Sequence, residues 1–181
     1  LENSIVQQKI DTVEQGVPTA LGQEWNEPAT PYSAEYPKNH VKQTESGHVQ
    51  EFDDTPEAER IHTYHKSGTF DEVHPDGTKV ERIIGNNYSI QKKDSNVFVR
   101  GEANLTTEGN TRLLVNKSLA LEVNDGNIEI KVTKGDINIS VENGNVKQRV
   151  NGDVKQHISG NAEEIINGSK ITRANGNYII D

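Results

Sequence analysis

From residue 77 to the end of the chain, apolar and polar residues alternate in short runs, and a glycine cuts nearly every run. After Gly152, Val154, Gln156 and Ile158 alternate with Lys155, His157 and Ser159. Ile128, Ile130 and Val132 alternate with Glu129 and Lys131, and Ile137, Ile139 and Val141 with Asn138 and Ser140. A period of two with β-branched residues on one face predicts strands buried on one side only. The cuts form a grid: Gly77, Gly85, Gly101, Gly109, Gly126, Gly135, Gly144, Gly152, Gly160, Gly168 and Gly176, with Lys93 and Lys117 in the two gaps. Asn or Asp usually follows, and both favour turns. Gly101 and its successors are read as structural turn glycines, supplying positive φ or close backbone approach.

The steps are eight residues, except for three of nine between Lys117 and Gly144. In the octads the last apolar residue lies two before the glycine, as in Val99, Val150, Ile158 and Ile166. In the nonads it lies three before, as in Val123, Val132 and Val141. The extra residue therefore belongs to the turn, because an insertion inside a strand would move every later side chain to the other face.

One such strand cannot bury its own apolar face. Either the chain coils on itself, three octads to a turn, or three chains wind around one axis. The period alone does not separate these. A self-coiled stretch of this length would make only about four turns, a thin core for its surface, which favours the trimer.

Three zones follow. Residues 1–38 read as an N-terminal linker: Ile5, Val6, Ile10 and Val13 suit a short helix or strand ended by Gly16 and Pro18, and Pro28, Pro31 and Pro37 keep the rest extended. Trp25 is expected to make a local contact within the same trimer. Residues 39–76 read as irregular β structure, with strands at 49–52, 60–65 and 69–73 and turns at 54–56, 67–68 and 75–77. Residues 77–181 are the repeat. The predicted fold class is all-β, an intertwined triple-stranded β-helix with an irregular β entry segment.

Composition narrows the function. Hydrophobic residues make up 31% and aromatics 5% of the 181 residues, low for a globular core but rich enough in Val and Ile for order. The formal charge is −9, so a homotrimer would carry −27, which argues against nucleic acid along its surface. No apolar run approaches the roughly 20 residues of a membrane-spanning helix. The chain starts at Leu1 and has no Met, so a fragment or processed product of a longer polypeptide is expected.

The segment 36–77 contains ESGHVQEFDDTP at 45–56, then ERIH, SGT and PDG, and octads of the form V-x-G follow it. This combination resembles the central spike of T4-like contractile phage tails, the tail-associated lysozyme or baseplate hub spike, of which the type VI secretion spike is a cousin. The resemblance implies a homotrimeric β-helix in the tail baseplate of the virion. Such a spike has the hub and tail tube on its N-terminal side and is driven through the host outer membrane. It also implies a conical PAAR-type protein on the C-terminal tip. A type VI-like spike and the shaft of a trimeric tail fibre or adhesin are the alternatives. In the T4 arrangement an oligonucleotide-binding-fold domain and a lysozyme domain precede the spike. Here 35 residues precede Tyr36, too few for either, so no catalytic residue is carried over and no enzyme is expected in this chain.

Candidate chemistry is sparse. His40, His48, His62, His65 and His74 lack a convincing ligand spacing, and Asp53, Asp54, Glu57 and Glu59 suit capping or solvated roles better than a glycosidase pair. No metal site or cofactor is expected. Gln148 and Gln156 take the central inward position of consecutive octads, and Glu164 and Thr172 follow. Either an axial channel there holds waters or ions, or the amides pair across chains. Three inward Glu164 carboxylates require a cation, protons or a register shift, for which the Ile165–Ile166 pair offers a route. In the last unit Tyr178 and Ile180 face inward and Asp181 ends the chain, so these three are the expected contacts of the tip protein.

Overall fold

The computed structural model describes residues 13–176. The chain divides into two units, Leu1–Ser118 and Leu119–Asp181. The described part of the first opens with β1 (Val17–Pro18) and β2 (Glu24–Trp25), a small antiparallel pair joined through a 3-10 turn at Ala20–Gly22. Five strands follow as an antiparallel meander: β3 (Asn39–Gln43), β4 (Val49–Asp53), β5 (Arg60–Tyr64), β6 (Phe70–Val73) and β7 (Lys79–Arg82). The all-β expectation is met. β4, β5 and β6 match the expected strands to within a residue at either end.

Two strands escaped the sequence reading. β3 (NHVKQ) and β7 (KVER) carry one apolar residue each and form the two edges of the sheet. Edge strands are exposed and bear charge as protection against stray pairing, so they lack the alternation that marks a covered strand. β7 starts two residues past Gly77, so sheet and repeat overlap there.

Three of the four hairpin turns share one form, at 44–48, 65–69 and 74–78. The first residue's amide donates to the fifth residue's carbonyl at 2.8–2.9 Å, and the glycine amide donates back to the first carbonyl at 2.8–3.0 Å. The glycines Gly47, Gly68 and Gly77 sit at φ of +90°, +98° and +83°, the left-handed corner such hairpins require.

Register puts Val49, Glu51, Asp53, Arg60, His62, Tyr64, Phe70 and Glu72 on one face, and all are buried. Val49, Tyr64 and Phe70 form a small apolar cluster against Val80. The rest of this face is polar. Residues 27–35 lie against it. Glu27 pairs with Arg82, the Thr30 hydroxyl donates to Glu72 at 3.1 Å, Tyr32 stacks under Arg60 at 4.7 Å, and the Glu35 amide donates to Thr55 at 2.9 Å. The proline-rich stretch is therefore extended, as expected, but pinned to the sheet through side chains.

Beyond Arg82 the described residues form no strand and make no backbone-to-backbone hydrogen bond within the chain. The backbone instead bends at 84–85, 92–93, 100–101, 108–109 and 116–117 in the first unit. In the second it bends at 124–126, 133–135, 142–144, 151–152, 159–160, 167–168 and 175–176. Every grid position, including Lys93 and Lys117, closes a bend.

Candidate functional site

The repeat and the entry sheet carry the two features with functional content. In the repeat, the bends that end the three nonads span three residues, while those that end the octads span two. The ninth residue is thus in the turn, as the phase argument required. Gly126 and Gly135, in the longer bends, sit at φ of +116° and +109°. Gly101, Gly109, Gly144, Gly152, Gly160, Gly168 and Gly176 do not enter the left-handed region, and a Cβ at Gly152 would meet nothing within 4 Å of the same chain.

Face assignment is legible in the exposures. The last apolar residue of each unit is the least exposed large apolar residue of its face: Val115 42%, Val123 48%, Val132 44%, Val141 48%, Val150 47%, Ile158 45% and Ile166 44% exposed. Its partners on the same face are barer, for example Ile130 at 74% and Ile139 at 81%. A face of Val, Ile and Leu is therefore open along every unit from Leu113 to Ile158, flanked by unpaired backbone. Both features call for a partner.

Gln148 and Gln156 lie on this inner face and are exposed. Glu164 lies on it too, and it forms an ion pair with Lys170. The adjacent Ile165 and Ile166 are 77% and 44% exposed. Lys170 was missed in the sequence reading, although its place two residues after Gly168 puts it on the inner face. Tyr178, Ile180 and Asp181 lie outside the described residues.

In the entry sheet, Glu72 is the hub of a buried polar network. Arg60 Nη1 donates to Glu72 Oε2 at 2.8 Å, and its other amino group pairs with Glu51. His74 Nε2 lies 2.9 Å from Glu72 Oε1. His62 Nδ1 lies 3.0 Å from Glu72 Oε2, close enough for charge attraction but outside hydrogen-bond geometry. Burial pushes the Glu72 carboxyl up, but the His62 contact, the Arg60 charge and the Thr30 hydroxyl outweigh it and hold the group at about 2. The sequence reading gave a strand at 60–65 but no partner for Arg60 or His62; that Glu72 meets both needed the strand register. The rings of His48 and His65 meet at the hairpin ends with centres 4.5 Å apart, tilted by 46°, and His40 is exposed on β3. Among the described residues no three His, Asp or Glu side chains converge as metal ligands. Asp53 is buried and accepts the Thr55 amide at 3.0 Å, a capping role, while Asp54, Glu57 and Glu59 are exposed.

No family model matches the chain. Two relatives do. Protein Gp5 of Vibrio phage KVP40 is 45% identical over 104 residues, which is 58% of this chain and 25% of that protein. The pre-baseplate central spike protein Gp5 of Enterobacteria phage T4 is 40% identical over 112 residues, 62% of this chain and 19% of that protein. The chain resembles the central spike of T4-like phage tails. The resemblance read from residues 45–56 and the octads is thus borne out. The chain spans a quarter or less of the length of these relatives.

Proposed function

We propose that this chain is part of the central spike of a contractile phage-tail baseplate, a structural element of the virion that pierces the host outer membrane. Three copies wind around a common axis as an intertwined β-prism. Residues 77–181 form the shaft, residues 39–76 its entry, and residues 1–38 lead toward the hub and tail tube. A PAAR-type protein caps the C-terminal end. The chain acts mechanically and carries no catalytic group of its own.

One observation supports this reading above the others. Beyond β7 the described residues of the repeat bend at every grid position yet form no ladder within the chain, and their apolar face stays open. A self-coiled solenoid would satisfy its ladders internally. A strand that does not must find its ladder in another copy, because unpaired backbone beside exposed Val and Ile is unstable alone. Closure around a three-fold axis leaves no sheet edge to peel, and interchain winding makes unfolding slow, as a piercing device requires. The similarity to a T4 protein named for the central spike supports the location. Sedimentation equilibrium of the 181-residue chain is expected to give three times 20.1 kDa. A monomer would overturn the reading in favour of a self-coiled solenoid.

A further inference from the structure

At each inner position of the repeat, two, four and six residues after a grid residue, the side chain from Ser95 to Ala174 is uncharged, with two exceptions: Glu164 and Lys170. Charged residues make up 26% of the chain, yet in this stretch all the others lie on the outer face or in the bends. The two exceptions have opposite sign, lie six residues apart on either side of the bend at 167–168, and are in contact. By spacing both share the phase of Ile158 and Ile166: Glu164 lies four residues after Gly160 and Lys170 two after Gly168.

We propose that Glu164 and Lys170 form a charge-neutral belt that faces the axis between copies of this chain and fixes their register. The inference rests on the trimer reading. Three carboxylates alone at one level of a closed core would demand a cation or protons. Three carboxylates and three ammonium groups need neither. The pair also marks one level of the shaft. Above it the inner face is aliphatic with two glutamine levels, Gln148 and Gln156. A chain slipped by one unit would carry its own Glu164–Lys170 pair to the Val154–Ile158 level of its neighbours and split the belt of six charges into two and four. A single polar level in an otherwise apolar seam is an effective register device, since the mismatch costs more than the pairing gains.

The test uses the whole chain and reads trimer dissociation in SDS. E164K and K170E each put six like charges at one level and should each dissociate at least roughly tenfold faster than the parent chain. The double reversal E164K/K170E restores opposite signs and should return to within about threefold of it. Dissociation of the parent chain should not change with EDTA. The belt is overturned if both single reversals dissociate at the parent rate, or if the double is no slower than the singles. It is also overturned if EDTA accelerates the parent, since a cation would then be neutralising Glu164. Where a single reversal yields no trimer at all, the double decides. A parent chain that sediments as a monomer would instead overturn the trimer itself.

Discussion

Glu72 sits where burial and charge pull its carboxyl in opposite directions, and charge wins. Its side chain is 2% exposed, between Arg60, His62 and His74. With the carboxyl held at about 2 against an ordinary 4.5, the folded state favours the ionised form. The group therefore adds stability that is complete above about pH 4.5 and is lost as pH falls through about 2. At about 1.4 kcal/mol per pKa unit, the contribution at neutral pH is on the order of 3 kcal/mol. Glu72→Gln leaves Arg60 with one carboxylate, Glu51, and should cost a similar amount at pH 7, because a buried charge loses its partner. Unfolding midpoints in urea at pH 7 and pH 3, followed by circular dichroism, check both points. The parent chain should weaken between those pH values and the variant much less; equal losses in both would remove Glu72 from the account.

A repeat unit is a strand of alternating faces plus a bend, and its tolerance to change should follow the faces. Lys155 is outward and exposed, so Lys155→Ser should change little. Gly152 closes a bend at ordinary φ, and a side chain there would meet no atom of its own chain. Any intolerance must come from neighbouring copies packed against the bend. Gly152→Val should therefore leave an isolated chain undisturbed but strain the trimer by roughly 1–3 kcal/mol per site, as overpacking does, and speed its denaturation in detergent. Equal denaturation rates for Gly152→Val and Lys155→Ser would mean that no neighbour approaches the bend. The same logic explains the sheet: β4 and β5 alternate buried and exposed without a break, the edge strand β7 alternates only exposed and half-buried, and the edge strand β3 does not alternate.

For the molecule as a whole, the decisive quantity is unpaired apolar surface. Apolar residues from Ile84 to Ile171 are exposed, many by more than half. In the proposed trimer, three wound chains cover that face along the repeat. The tip contact proposed at Tyr178, Ile180 and Asp181 is tested by deletion. Deleting residues 178–181 should abolish co-purification of a PAAR-type tip protein while leaving the trimer intact by sedimentation. If the tip protein still co-purifies, its seat lies elsewhere, with the entry sheet the next candidate.

Periodicity determined a good deal before any coordinates. The grid located every bend from Gly85 to Gly176, the nonads located the extra residue in the turn, and alternation identified β4, β5 and β6. These features are local: a bend or a face is encoded within eight or nine residues, so spacing reveals it. The tertiary structure decided what spacing cannot carry. Thr30 meets Glu72 and Glu27 meets Arg82 across 42 and 55 residues of chain, and no period links such partners. The edge strands became visible only through their neighbours' hydrogen bonds. Glu164 is read from sequence as a lone axial charge, whereas folding brings Lys170 onto it across a bend, because residues on one face of consecutive units come together only once the turn between them has a shape.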